Sequence, residues 1–414
     1  MFLIVFCIVA KNLFAQEVSY KLKGSIVERD SKEILLLRAT EDARFDGISI
    51  PIKDNTFEYD LKTSCIEKYV LIFKEESVKG VWKSIEFFPD STKIEFTLFP
   101  YNEFDKNIIT GGRFNKEKNV FEKQQKDIFY SKLKPFQLLQ DSLLKNNEFF
   151  SEKAQNLNSR IRQTQDFEER NKLYKEQQLL QESNEAYSPV ALTNNNKMES
   201  IFGSMVDSQI DYAKKHIDIY SYSLLLSSLQ IYSSNPHIIN IESIKSIFPS
   251  FSKKFPTHPY TKKMNEMLNA INKVKVGGHY IDFTAPTLDG KTVRLSEEIK
   301  GKVALIDLWA SWCGPCRATS KSIIPIYQKY KNKGFTVIGV ACEFKNTDAF
   351  KIALETDEYP WLNLIELNNK NDIWNKYNIA GSGGSTFLVD SRGKILAIHP
   401  DAEELENHLK ELLK

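Results

Sequence analysis

The chain has 414 residues, a formal net charge of +2, 42% apolar residues and 27% charged residues. That length leads to an expectation of two or three domains, and the composition is that of a globular protein able to bury cores. No dense block of Lys or Arg occurs, which argues against nucleic acid or an anionic membrane surface as a partner.

Met1 to Ala10 is almost wholly apolar, and Leu13-Phe-Ala15 ends in a small residue before Gln16. The stretch reads as a signal peptide, residues 1–15, cleaved after Ala15. No Lys or Arg precedes the apolar core, and a buried N-terminal strand is the alternative. The run is shorter than the roughly 20 apolar residues a membrane span needs. After cleavage no span is expected, Cys7 is discarded with the leader, and the mature protein lies in the periplasm or cell envelope.

From 18 to 112 the pattern has period two or short apolar runs split by turn residues. Expected strands are 20–27, 33–38, 47–52, 56–61, 69–73, 79–88 and 93–98, with Asp54-Asn55 as a hairpin turn. Many short strands at this spacing predict an all-β, sandwich-like antiparallel domain or a barrel. Gly111-Gly112 marks a boundary. Residues 113–275 turn to Lys, Glu, Gln, Asn and Leu at helical spacing, with Asn194-Asn-Asn196 breaking the pattern. Asn235-Pro236, Phe248-Pro249 and Phe255-Pro256 punctuate shorter helices. The Leu and aromatic stripes of this helical region read as core.

Residues 277–414 carry the chemistry. Val303 to Trp309 is a near-continuous apolar run, the pattern of a strand covered on both faces. It leads into Trp312-Cys-Gly-Pro-Cys316 and then a helical pattern to about Lys331. A bare Cys-x-x-Cys is weak evidence. Between a strand and a helix it is stronger, because Cys313 then sits at a helix N-terminus, where unpaired N–H groups and the dipole favour a thiolate. A strand at 335–341, a helix at 346–356, a hairpin of 386–389 with 394–398 and a helix at 403–413 complete an α/β domain. A parallel strand pair needs its crossover helix.

Trp312-Cys-Gly-Pro-Cys316 resembles the thioredoxin active-site signature. With Asp282-Phe-Thr-Ala-Pro-Thr-Leu-Asp-Gly-Lys291, Trp309-Ala-Ser-Trp312 and Phe387-Leu-Val-Asp-Ser-Arg-Gly-Lys394, the last third resembles the TlpA/ResA-like thiol–disulfide oxidoreductases. The β-rich region resembles the domain of uncharacterised function found ahead of such domains in envelope proteins. The resemblance implies a thioredoxin-like fold and dithiol–disulfide exchange with envelope protein thiols and disulfides, fed by an upstream electron-donor thiol protein. Cytochrome c maturation is a family-level expectation.

On this reading Cys313 attacks as thiolate and Cys316, one turn along, resolves the mixed disulfide. Asp307 interrupts the apolar strand, and a buried carboxyl there carries a raised pKa suited to passing a proton to or from Cys316. Thioredoxins have an aspartate at the matching position. Trp312 covers the thiols and offers a partner an apolar contact; its alternative is a packing tryptophan. Gly384 occupies the slot where the family carries a cis-proline, so the substrate-binding loop with Gly384 and Ser385 is expected to be trans, more mobile and poorer at presenting a partner backbone, with substrate choice or rate altered. Thr319 stands where the family often has Glu, and Pro325 is expected to kink the thiol helix.

Cys342 reads as a buried small hydrophobe, with a third thiol near the pair and a Cys65–Cys342 bridge as alternatives. No cofactor is expected. Zinc would need two further ligands that the six scattered His do not supply, and a peroxidase of the peroxiredoxin type would need Thr or Ser where Ala310 stands. The other class of function is a non-catalytic envelope scaffold with a degenerate redox domain.

Overall fold

The computed structural model describes residues 17–41, 47–379 and 382–413. The expected signal peptide and Cys7 lie outside the described residues, as does Gly381. Alternating apolar residues build two four-stranded sheets near the N-terminus. One runs in the order Thr56–Thr63, Val18–Ile26, Lys93–Leu98, Ile108–Thr110, and the other Ile48–Pro51, Glu33–Arg38, Tyr69–Phe73, Ile85–Phe87. Leu22 and Ile26 of the first sheet and Ile34, Leu36 and Leu71 of the second enter one shared core. Asp54 and Asn55 both take positive φ, 48° and 56°, in the two-residue turn between Lys53 and Thr56, the geometry that matches strand twist in a hairpin.

Two expectations fail in this region. The pairing is not purely antiparallel, because Val18–Ile26 runs parallel to Lys93–Leu98. The strand expected over 79–88 shortens to Ile85–Phe87, and a helix, Lys74–Lys79, precedes it. Glu75 and Glu76 sit in the first helical turn and Lys79 in the last, each suiting the helix dipole. Gly80 closes the helix at φ 72°, the left-handed cap that glycine adopts at least cost.

From Arg113 to Lys273 the chain is mostly helical. Asn194–Asn196 does not break it, but lies inside the 27-residue helix Pro189–Lys215. Asn194 is buried and its amide donates to the Phe136 carbonyl at 3.0 Å, so a tertiary bond displaces the local turn that asparagine otherwise favours. Pro249 likewise sits inside Ile241–Lys254, which buries Phe248 and Phe251 on either side of it, whereas Asn235-Pro236 and Phe255-Pro256 do separate helices. Contacts group the chain into two units. One holds the described residues up to Gln124 with Asp218–Ser223; the other holds Gln125–Ile217 with the rest from Leu224. Among the described residues no helix is long and apolar enough to cross a membrane.

The C-terminal domain is a five-stranded sheet with helices. Its elements are β1 (Val303–Trp309), α1 (Gly314–Tyr330), β2 (Phe335–Glu343), α2 (Asp348–Asp357), β3 (Leu362–Leu367), β4 (Ser385–Val389), β5 (Ile395–Ile398) and α3 (Ala402–Leu412). The strand order is β3-β2-β1-β4-β5. β1, β2 and β3 run parallel, while β4 and β5 are antiparallel additions. Every residue of the central strand β1 is buried. Ala304, Ile306 and Leu308 enter the core on one face; Val303, Leu305 and Trp309 enter those on the other. Strand β3 is an addition to the sequence reading. The helix α1 is assigned without interruption through Pro325.

Candidate active site

The central strand delivers the thiols. β1 ends at Trp309, the chain turns through 310–312, and Cys313 becomes the N-cap of α1, with Pro315 in its first turn. Proline at that position lacks only an N–H that would have had no helical partner. The Cys316 backbone N–H donates to Cys313 Sγ at 3.2 Å. One of the unpaired N–H groups of the helix start is therefore aimed at the first sulfur. Cys313 and Cys316 are joined as a disulfide, with Cα atoms 5.3 Å apart, and both are half-buried. Cys313 packs against the core on one face of the sheet, and Cys316 against the cluster of Trp309, Ala341 and Phe350 on the other.

Asp307 is 2% exposed on β1. Burial pushes its carboxyl up to about 7, although a hydrogen bond from Ser320 opposes the rise. The Ser320 hydroxyl lies 2.7 Å from Asp307 Oδ2 and 3.1 Å from the Cys316 carbonyl oxygen, so one side chain touches both the acid and the turn holding the second thiol.

Trp312 is 52% exposed and stacks on Phe344, with ring centres 5.5 Å apart. Gly384 immediately precedes β4, which Ser385 begins beside β1, opposite Leu308. There is no cis peptide bond among the described residues. The glycine facing the sulfurs is Gly383: a Cβ there would lie 2.7 Å from Cys313 Sγ and 3.2 Å from Cys316 Sγ. Gly384 instead abuts the Leu308 carbonyl, which a Cβ would approach to 2.0 Å. Backbone alone therefore covers the disulfide on this side.

Three supports escape sequence reasoning. Glu343, 2% exposed at the end of β2, accepts from the Ser311 N–H at 2.9 Å and the Ser311 hydroxyl at 2.7 Å, fixing the turn two residues before Cys313. Burial raises its carboxyl above the ordinary range. Arg317, next to Cys316, makes a two-pronged pair with Asp357 at 2.6 and 3.0 Å, and the Tyr359 hydroxyl donates to the same carboxylate at 2.9 Å. Burial pushes Asp357 up, but these partners hold it below the usual range. The third support is Ser320. A buried Glu closing an apolar strand is a legible signal; the pairing partners, 32 and 40 residues away in sequence, are not.

Cys342 is 7% exposed in the core that Cys313 also touches, and Cys65 lies in the β-rich region. Neither is half of a disulfide, so the alternative of a bridge between them falls. Thr319 is half-buried on α1, and Ala310 is fully buried and offers no hydroxyl to the thiols.

A five-stranded thioredoxin-like sheet carrying a vicinal Cys pair at a helix start defines a thiol–disulfide oxidoreductase domain. Residues 276–398 match the model of the AhpC/TSA family. Thiol-disulfide oxidoreductase ResA of Bacillus anthracis is 27% identical over 145 residues, 34% of this chain and 80% of that protein. ResA of Geobacillus kaustophilus is 28% identical over 144 residues, 34% of this chain and 79% of that one. The solved thioredoxin domain of a thiol-disulfide oxidoreductase from Bacteroides vulgatus is 29% identical and aligns over 34% of this chain and all of that one, with a TM-score of 0.31. The C-terminal third of the chain is thus similar to thiol-disulfide oxidoreductases of the ResA type.

Proposed function

We propose that the protein exchanges disulfides with partner proteins of the cell envelope through Cys313 and Cys316, acting as a protein-disulfide reductase. The observation that carries this reading is Cys313 at the N-cap of α1, its sulfur accepting the Cys316 N–H and lying within bonding reach of Cys316. The reduced Cys313 thiolate attacks one sulfur of the partner's disulfide. That S–S bond breaks, a mixed disulfide forms, and the departing partner sulfur takes a proton. Cys316 gives its proton to the Asp307 carboxylate and attacks Cys313 Sγ, and the second partner sulfur leaves as a thiolate that takes a proton from solvent. Two electrons pass to the partner, and an upstream thiol protein restores the dithiol.

Trp312 and the backbone of Gly383, Gly384 and Ser385 form the surface that meets the partner chain. A partner near its reactive cysteine is then an extended segment with an apolar side chain to set against the exposed Trp312 ring. The resemblance to the TlpA/ResA family makes apocytochrome c thiols the first substrate to assay, and the apolar stretch at 1–15 supports envelope placement.

Insulin reduction with a thiol donor tests the reading. Wild type reduces insulin, Cys313→Ser abolishes turnover, and Cys316→Ser accumulates a mixed disulfide that a gel without reductant retains. A wild type that neither turns over nor traps would leave the scaffold reading in its place.

A further inference from the structure

Asp307 must both take up and release a proton in a place water hardly reaches, and a buried carboxyl is costly in either state unless its partner suits both. The groups facing it can be named element by element. From α1 come Ser320, 0% exposed, and Cys316 one turn earlier. From the segment after α2 comes the Tyr359 phenol, whose own ionisation Asp307 opposes and whose hydroxyl is committed to the Asp357–Arg317 pair. From the sheet, Gly339 of β2 and Thr386 of β4 are its direct register partners. Thr386 is 2% exposed and its hydroxyl has no hydrogen-bond partner among the described residues. Ser320 is thus the group in hydrogen-bond contact with the carboxyl.

A serine hydroxyl has one proton to give and two lone pairs to receive. We propose that Ser320 is a positioning residue for the exchange reaction, a two-way partner that serves Asp307 in both of its charge states. With Asp307 ionised, the hydroxyl donates to Oδ2 across 2.7 Å. When Asp307 has taken the Cys316 proton, its own O–H donates back to Ser320 Oγ, and the serine proton turns to the Cys316 carbonyl at 3.1 Å. Neither state leaves a buried donor unpaired. The same rotation ties the proton's arrival to the turn that carries the second thiol. This inference rests on the proposed exchange reaction and assigns a residue that the thiol motif does not contain.

The test is Ser320→Ala, a substitution that suits an interior helical position. A hydrogen bond to a charged group is worth more than one to its neutral form, so losing it disfavours the carboxylate. The Asp307 ionisation constant in the oxidised protein is expected to fall by about tenfold, read by NMR of labelled carboxyl carbons assigned through Asp307→Asn. The rising limb of the insulin-reduction pH profile is expected to move to higher pH in the same sense. In an Asp307→Asn background, Ser320→Ala should leave the profile where it was. An unmoved Asp307 midpoint, or an equal shift in the Asp307→Asn background, overturns the inference. A wild type that fails to reduce insulin refutes the oxidoreductase reading, whereas a wild type that reduces it with an unmoved midpoint in Ser320→Ala refutes this inference alone.

Discussion

Asp307 holds its proton to a much higher pH in the fold than in the unfolded chain, and this has a sign for stability. The carboxyl is raised from 3.8 to about 7, so between those values the folded protein keeps a proton that the unfolded chain has released. The contribution is fully present below 3.8 and is lost as pH climbs towards 7. About 1.36 kcal/mol per unit over roughly three units gives an upper bound of about 4 kcal/mol. Asp307→Asn should therefore be more stable than wild type at pH 8, with the two converging near pH 4, as urea midpoints across that range would read. Equal midpoints at pH 8 would mean that Asp307 is not the strained acid described. Arg317 has the opposite character. Asp357 is 5% exposed and takes two of its hydrogen bonds from the Arg317 guanidinium. Arg317→Ala leaves that buried carboxylate with Lys321, 3.8 Å away, as its remaining cation, and the loss of the two-pronged pair should cost about 3 kcal/mol in the same denaturation assay. A loss below about 1 kcal/mol would class the pair with ordinary surface bridges.

At the scale of elements, the start of α1 was legible because strand, turn and helix are contiguous: a few dozen residues carry their own periodicity and their own cap. Features that depend on distant partners were not. Asn194 looks like a helix breaker until its bond to Phe136 is known, and Pro249 looks like a terminator until its neighbours' burial is. The loop before β4 was half legible. Its glycines mark a departure from the family's proline, but only the coordinates tell that Gly383 meets the sulfurs while Gly384 meets the Leu308 carbonyl. Gly384 has φ 153°, a backbone region open to glycine and closed to proline, whose ring holds φ near −65°. Restoring the family residue by Gly384→Pro should therefore destabilise the protein rather than improve it, by about 1–3 kcal/mol or more. Gly384→Ala should do likewise, through a Cβ placed 2.0 Å from backbone. Thermal melts decide it, and an unchanged melting temperature in Gly384→Pro would mean that the loop readily adopts another path.

At the scale of the molecule, the question is where the redox domain begins. The sequence boundary at Gly277 follows the extent of the family resemblance, yet Val274, 9% exposed, belongs to the core cluster of the C-terminal sheet with Phe283, Ile306 and Phe387. The junction is also tied by backbone: His279 N–H donates to the Lys273 carbonyl at 2.9 Å, and Gly277 N–H to that of Ile395 at 2.8 Å. The preceding helices also pack on the domain, Phe167–Glu182 against α1 and Pro259–Lys273 against the short helix Ile373–Lys376. Lys175 pairs with Asp401 at 2.7 Å and Lys263 with Asp372 at 3.7 Å, partly exposed bridges worth about 1 kcal/mol or less each. A fragment spanning 273–414 keeps the sheet core and the junction bonds but loses these contacts, so it should fold with reduced stability and still reduce insulin. A fragment spanning 277–414 should be less stable by about 1–3 kcal/mol, the contribution of burying one valine side chain. Urea midpoints and insulin turnover on the two fragments and the full chain measure both effects. Should 273–414 fold but lose turnover, the helical region would belong to the reaction, and the boundary of the redox domain would have to move far upstream.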